Sequence, residues 1–441
     1  MNFHAEFKNI SGEDTYPLSQ VVYRGNDGSL LEVSHSRSAW KFRSPAEWKN
    51  LFQSRRSSFA HADLSGVWSK RELVLPELPV EDIVTLQEGW SPLFNAQKLA
   101  KEINLESLHV KLCGNSHTGS FKDLGMTVLV SQVNHLIKNK APIKAVACAS
   151  TGDTSAALSA YCARAGIPSI VFLPAGKISV AQLVQPIANG SIVLALDTDF
   201  DGCMKIVQEV TADKSIYLAN SMNSLRIEGQ KTISYELCQE LGWALPNTII
   251  IPGGNLGNVS ALTKGIDDLL ALGIIEKKPR IIVAQAENAN PFYLAYKRNF
   301  DKLEAVQAKK TLASAIQIGN PVSYPKAESA IKNYNGLVEQ VSEQELADAA
   351  HRADKIGLYC CPHTGVALGA LFKLREKGVI SGDESVVVIS TAHGLKFSEF
   401  KAGYHEQKLE GIAPKYANAI HYLPANAEAV RDALKPFIVY A

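Results

Sequence analysis

The sequence predicts an α/β fold built on parallel sheets, and three observations point there. From about residue 107 onward, short runs rich in β-branched residues alternate with longer helical patterns, the order expected when each strand is followed by a crossover helix. Those runs are nearly all apolar rather than alternating, as in strands covered on both faces. The chain has 441 residues, 46% hydrophobic and 20% charged. That is enough to bury about three-quarters of its unfolded surface without a disulfide or metal staple, and it leaves room for about three domains.

In chain order, residues 1–100 differ from the rest. They have a polar start, mixed short elements and a stretch over 68–78 rich in Leu, Val and Pro, which reads as an extension laid onto the main body. The expected strands then span 108–113, 145–149, 169–173, 192–196, 216–219, 248–251, 281–284 and 386–389. Amphipathic helical stretches lie between them at 154–165, 180–188, 226–241, 259–272 and 363–377. Ser342-x-x-Glu345 ahead of Leu346 and Ala347 is a capping box, whose helix is expected to end near Gly357. Beyond about 404 the chain reads as irregular until a last helix near 428–434.

Composition excludes several classes. A net charge of +1 supplies no general attraction to nucleic acid or an acidic membrane, and no apolar run reaches spanning length. The seven cysteines, Cys113, Cys148, Cys162, Cys203, Cys238, Cys360 and Cys361, contain no C-x-x-C unit, so no structural zinc site is expected. Most sit among apolar neighbours, as reduced thiols do. The opening MNFHAEFKNISGEDTY carries acids and no apolar core, so neither a signal nor a transit peptide is expected there. The expectation is a cytoplasmic protein without metal, nucleic-acid or membrane partners.

Five clusters could carry chemistry. In Ser116-His117-Thr118-Gly119-Ser120-Phe121-Lys122-Asp123, a lysine opens a helix after a strand. Partial positive charge and burial there favour the free amine, a better nucleophile; Lys122 could equally be a solvated first-turn lysine with Ser120 as N-cap. In Pro252-Gly253-Gly254-Asn255-Leu256-Gly257-Asn258, converging backbone N–H groups at a helix start make a phosphate cradle. The spacing is neither G-x-G-x-x-G nor a Walker loop, and the plainer reading is a tight turn that needs glycine conformations.

The third cluster, Ser150-Thr151-Gly152-Asp153-Thr154, offers hydroxyls and N–H groups suited to a carboxylate, against ordinary capping by Asp153 or Thr154. The fourth, Asn220-Ser221-Met222-Asn223-Ser224-Leu225-Arg226, could clamp a second anion, against a solvated polar loop. The fifth, Ser390-Thr391-Ala392-His393-Gly394, places a hydroxyl where an uncharged ring nitrogen could meet it, with His393 more often structural. All five fall at carboxyl ends of expected strands, where open α/β sheets bind ligands.

Together the motifs resemble the threonine synthases, pyridoxal-phosphate enzymes of the tryptophan-synthase β-like fold. The resemblance rests on SHTGSFKDLGMT (116–127), CASTGDTSAALSAY (148–161), NSMNSLRIEGQKT (220–232), PGGNLGN (252–258), PHTGVALGALFKL (362–374) and STAHGLKF (390–397). It covers roughly residues 63–400, and SGVWSKRELVLPEL (65–78) is similar to the branch that includes the plant enzymes. It implies two open parallel-sheet domains after the N-terminal extension (1–100): a large cofactor-binding domain (101–140 and 233–441) and a small substrate-side domain (141–232).

The resemblance further implies that Lys122 holds pyridoxal 5'-phosphate and serves as acid/base, while Gly253, Gly254, Asn255, Leu256, Gly257 and Asn258 cradle its phosphate. Thr391 would meet the pyridine nitrogen, where a neutral group keeps the ring less cationic than an aspartate would. Asp153 would lie beside the 3-hydroxyl, where many relatives of the fold carry Asn. Ser150, Thr151 and Thr154 would hold the substrate carboxylate, and Asn220, Ser221 and Arg226 the phosphate of O-phospho-L-homoserine. The implied reaction turns that substrate and water into L-threonine and phosphate, in a homodimer.

EGWSPLF at 88–94 departs from the plant pattern EGNSNLF, a region tied to activation by S-adenosylmethionine. Trp90 and Pro92 replace both asparagines, which counts against that activation. The alternatives are a serine/threonine dehydratase or a β-replacing enzyme of the same fold, which need no substrate-phosphate clamp, and a non-catalytic cofactor-binding relative, which needs no Schiff-base lysine.

Overall fold

A computed structural model describes residues 3–150, 152–175 and 180–438. The N-terminal stretch forms an antiparallel sheet in which β1 (Ala5–Asn9) pairs with β2 (Thr15–Pro17) and β3 (Leu31–His35). β1 alternates buried and half-buried residues, the pattern of a strand with one packed face. Its inward Ala5 and Phe7 join Trp40, Trp48 and Phe52 in the main core.

Ten further strands build two sheets: β4 (Leu93–Asn95), β5 (Ser107–Leu112), β6 (Ala145–Ala149), β7 (Ser169–Pro174), β8 (Ile192–Leu196), β9 (Ile216–Leu218), β10 (Thr248–Pro252), β11 (Arg280–Ala286), β12 (Leu337–Val341) and β13 (Ser385–Ser390). The larger sheet runs β12-β11-β10-β13-β5-β4, parallel except for β4, which pairs antiparallel with β5. The smaller is a parallel sheet, β8-β7-β6-β9. Each of the eight expected strands is present to within two residues.

The structure corrects several expectations. β12 was not expected: its sequence LVEQV is half polar and gives neither an apolar run nor a clear alternation. β8 is not covered on both faces, because it is the edge of the smaller sheet and leaves Ile192 and Leu194 exposed. The stretch 226–241 is not one helix but two, Leu225–Gln230 and Thr232–Glu240. Between them the buried Lys231 pairs with Glu228 at 2.6 Å and Asp268 at 3.0 Å. The Ser342–Glu345 capping box is formed, but its helix, Glu343–Asp354, stops three residues before Gly357. The last helix, Ala427–Leu434, buries no residue.

Two features position the site. β10, β13 and β5 are adjacent, so the loops leaving their carboxyl ends converge, and β6 and β9 do the same in the smaller sheet. The helices Lys122–Lys138 and Leu225–Gln230 also cross closely, since a Cβ at Gly229 would run into the carbonyl of Leu124 and one at Gly125 would meet the carbonyl of Arg226 at 2.8 Å. That contact brings Arg226 to the side of the cleft that holds Lys122. All seven cysteines are free and buried. Among the described residues, no helix is long and apolar enough to cross a membrane and no metal-binding cluster occurs.

Candidate active site

The loop after β5 delivers Lys122. The Asp123 carboxylate organises it, accepting from Ser116 Oγ at 2.6 Å, Thr118 N at 2.8 Å and Thr118 Oγ1 at 2.5 Å. Backbone bonds then strap the loop to the one after β13: Phe121 N donates to Thr391 O and His393 N to Gly119 O, both at 2.9 Å. Ser120 makes no N-cap; the cap position is Phe121, without a side-chain hydrogen bond. Lys122 faces the cleft and makes no ion pair among the described residues. Burial first, then the Arg226 guanidinium, brings its amine down to about 7, against an opposing pull from Asp153. The solvated-lysine reading therefore fails on burial.

The loop after β10 faces Lys122 across the same cleft, which Gly254, Asn255, Leu256, Gly257 and Asn258 line. Gly253 and Gly254 serve close approach rather than unusual conformation. A Cβ at Gly253 would meet Val283 Cγ1 at 2.6 Å, and one at Gly254 would meet Ile316 Cα at 3.0 Å. The left-handed residue is Leu256, at φ 65°, immediately before the helix Gly257–Ala271. Asn258 Nδ2 closes the loop onto Pro252 O at 2.7 Å. The helix start leaves backbone N–H groups and the positive end of the dipole at the cleft, which suits a phosphate.

The loops and helix starts leaving the smaller sheet add Asp153, Ser221 and Arg226 to the lining. Arg226 is buried, donates from Nη1 to Ala219 O at 3.1 Å and from Nη2 to Thr154 Oγ1 at 3.3 Å, and leaves Nε without a partner. Burial lowers even this guanidinium to about 10. A buried arginine without a carboxylate is costly unless an anion meets it. Ser221 lines the cleft and accepts from Asn255 Nδ2 at 3.5 Å, joining the two anion loops. Asp153 also faces the cleft and pairs with Lys396 at 3.3 Å; neither it nor Thr154 caps its helix.

Not every expected residue arrives in the cleft. The Asn220 amide is spent on the backbone of Ala149, accepting from its N and donating to its O, both at 3.1 Å. It therefore ties the loop after β9 to the end of β6 instead of presenting an anion ligand. Ser150 accepts from Gly152 N at 3.2 Å, and Thr151 lies outside the described residues.

Three residues that the sequence reading passed over sit beside the expected ones. His363 lines the cleft and its Nε2 accepts from Ala315 N at 3.0 Å. Cys361 Sγ lies 3.9 Å from Thr391 Oγ1. Burial pushes this thiol up, but His363 and Thr364 outweigh it and bring Cys361 down to about 7. Lys396 is the third. The PHTGVALGALFKL and STAHGLKF segments contain His363 and Lys396, and Cys361 directly precedes the first, yet nothing local says which side chains face inward.

An amine without a carboxylate partner, a glycine-lined helix start across from it and the buried Thr391 hydroxyl fit a phosphorylated aromatic aldehyde such as pyridoxal 5'-phosphate. The orphaned Arg226 Nε beside Lys122 fits a second anion.

Comparisons with known proteins agree. A family model for pyridoxal-phosphate dependent enzymes matches residues 84–392. The chain is 54% identical over 430 residues to threonine synthase 2, chloroplastic, of Arabidopsis thaliana, spanning 97% of this chain and 83% of that protein. It is 39% identical over 386 residues to the threonine synthase of Methanocaldococcus jannaschii, spanning 87% and 90%. Among solved structures it is similar to threonine synthase from Escherichia coli, with TM-score 0.65, 19% identity, and 98% and 99% of the two chains covered. At that identity the likeness is one of fold.

Proposed function

This chain belongs to the pyridoxal-phosphate-dependent enzyme family and within it to the threonine synthases, and from that premise we propose how its residues divide the work. The enzyme converts O-phospho-L-homoserine and water into L-threonine and phosphate. The observation that carries the assignment of residues is the pairing, in one cleft, of a free amine at Lys122 with a partnerless guanidinium edge at Arg226.

Lys122 holds the cofactor through its amine, residues 253–258 take the cofactor phosphate, and Thr391 offers a neutral hydroxyl to the ring nitrogen. When bound, pyridoxal 5'-phosphate supplies an electron sink for the negative charge left as the substrate loses its Cα proton. With its pKa near 7, Lys122 Nζ can take that proton as free amine and return one as ammonium. Arg226 and Ser221 hold the substrate phosphate and steady it as it leaves Cγ. Ser150, Thr151 and Thr154 hold the substrate carboxylate, the Thr154 hydroxyl being already oriented by Arg226. Asn220 acts one step back, fixing the loop that carries Ser221.

The division into a cofactor-binding body (101–140 and 233–441), a substrate-side part (141–232) and an extension (1–100) is supported by the separate larger and smaller sheets. A homodimer is supported by the exposed apolar residues Ile420, Tyr422 and Phe437 in the tail, whose last helix buries no residue. A cytoplasmic setting is supported by seven free thiols, which any reducing compartment also keeps.

The test is a single assay on purified protein with O-phosphohomoserine that follows phosphate, threonine, keto acid and ammonia together. Phosphate and threonine in equal amounts are expected. Keto acid and ammonia would instead mark a dehydratase.

A further inference from the structure

Lys396 has no role in the scheme above, yet its ammonium joins three separate elements next to Asp153, which faces the cleft. It donates to Thr118 O at 2.9 Å and to Gln185 Oε1 at 2.7 Å, and it lies 3.3 Å from Asp153 Oδ1. Two hydrogen bonds and one ion pair together fix the position of the ammonium. The three acceptors come from different places. Thr118 belongs to the loop leading to Lys122, Gln185 to the helix Val180–Ala188, and Asp153 to the start of the helix Asp153–Ala165. Lys396 itself stands in the short helix Gly394–Phe397, just after Thr391. Gln185 reinforces the joint by donating from Nε2 to the same Thr118 carbonyl at 3.2 Å.

We propose that Lys396 is a positioning residue that orients the Asp153 side chain toward the cofactor's phenolic oxygen while pinning the substrate-side helix to the lysine loop. This rests on the reading of Asp153 as the neighbour of the 3-hydroxyl. The pair is largely shielded, with 18% of the Lys396 side chain and 8% of the Asp153 side chain exposed, so water screens it far less than a surface pair. Asp153 faces a second amine, Lys122, across the cleft. The contact with Lys396 sets where the Asp153 carboxyl points, and so whether it reaches the phenolic oxygen, without Lys396 touching substrate.

The experiment is a double-mutant cycle on apoenzyme, read as affinity for pyridoxal 5'-phosphate by fluorescence titration, with the absorption spectrum of each loaded variant as second readout. Asp153→Asn and Lys396→Met are each expected to weaken binding by about tenfold, and the double variant to be no weaker than Asp153→Asn alone. Lys396→Arg is expected to restore most of the affinity and the wild-type spectrum. If Lys396→Met does not fold, Lys396→Gln, which keeps donors but not the charge, takes its place with the same expectation. The proposal is overturned if the Lys396 variant binds as wild type while Asp153→Asn is weak, or if the two losses simply multiply. If Asp153→Asn itself binds as wild type, the reading of Asp153 falls and the proposal with it.

Discussion

Lys122 and Arg226 line one cleft as two cationic side chains, and neither makes an ion pair among the described residues. Like charges crowded without counterions are a cost, and it is relieved in two ways: the amine gives up its proton near neutrality, and the guanidinium waits for an anion. Both halves of that relationship can be measured.

Replacing Lys122 by alanine removes the amine that holds the cofactor and moves the proton. Turnover is expected to fall by about 10²–10⁴-fold, and borohydride should no longer fix pyridoxal 5'-phosphate to the protein. Mass spectrometry of the reduced protein checks this, and a labelled peptide in Lys122→Ala would place the attachment elsewhere.

The low pKa of Lys122 also has a stability signature. The amine titrates near 7 when folded and near 10.5 when unfolded, so between those values the unfolded chain binds more protons. Stability through this residue therefore rises as pH climbs from about 7 to about 10, and it is flat below 7. Lys122→Met apoenzyme should be more stable than wild type at pH 6, with the gap narrowing toward pH 10. Urea titrations across that range read the trend, and a constant gap would show that the amine is not held down.

Arg226→Ala should lower kcat/KM for O-phosphohomoserine by about 10²-fold, because truncation leaves a substrate phosphate buried without its partner. Arg226→Lys should recover only part, since an ammonium cannot supply the planar fork. Activity equal to wild type at low substrate would remove Arg226 from the phosphate.

At Gly254 a valine would drive its side chain into Ile316, whose Cα already lies 3.0 Å from the Cβ position. Gly254→Val is expected to weaken cofactor binding by at least about tenfold while costing roughly 1–3 kcal/mol of stability, as overpacking does. Titrating apoenzyme separates the two effects.

S-adenosylmethionine should leave kcat and KM unchanged. In the departing segment at 88–94, Trp90 N donates to Glu236 Oε1 at 2.7 Å, and Lys70 Nζ stands 3.6 Å from the indole ring centroid. Burial brings Lys70 itself to about 7. The half-buried indole is thus flanked by basic side chains, with Arg56 Cζ 4.7 Å from the ring centroid as well. Activation on addition of the effector would show that the replacement of the two asparagines does not abolish the response.

Residue type alone announced eight of the strands and the chemistry of their ends. Apolar runs such as 248–251 and 386–389 can only be buried, and a lysine, a glycine-rich turn and a hydroxyl at their carboxyl ends announce an α/β ligand site, because local residue type dictates those signals. What the tertiary structure decided is adjacency. Only strand order makes β10, β13 and β5 neighbours, and only the Gly229–Leu124 contact sets Arg226 beside Lys122. The same holds within the motifs. Asn220 and Ser221 are consecutive, yet one amide is consumed by Ala149 and the other side chain reaches the cleft. Lys396 meets Asp153 across 243 residues of chain. Contacts at such separations depend on how whole elements pack, and a linear pattern carries local propensity but not the distance between two loops.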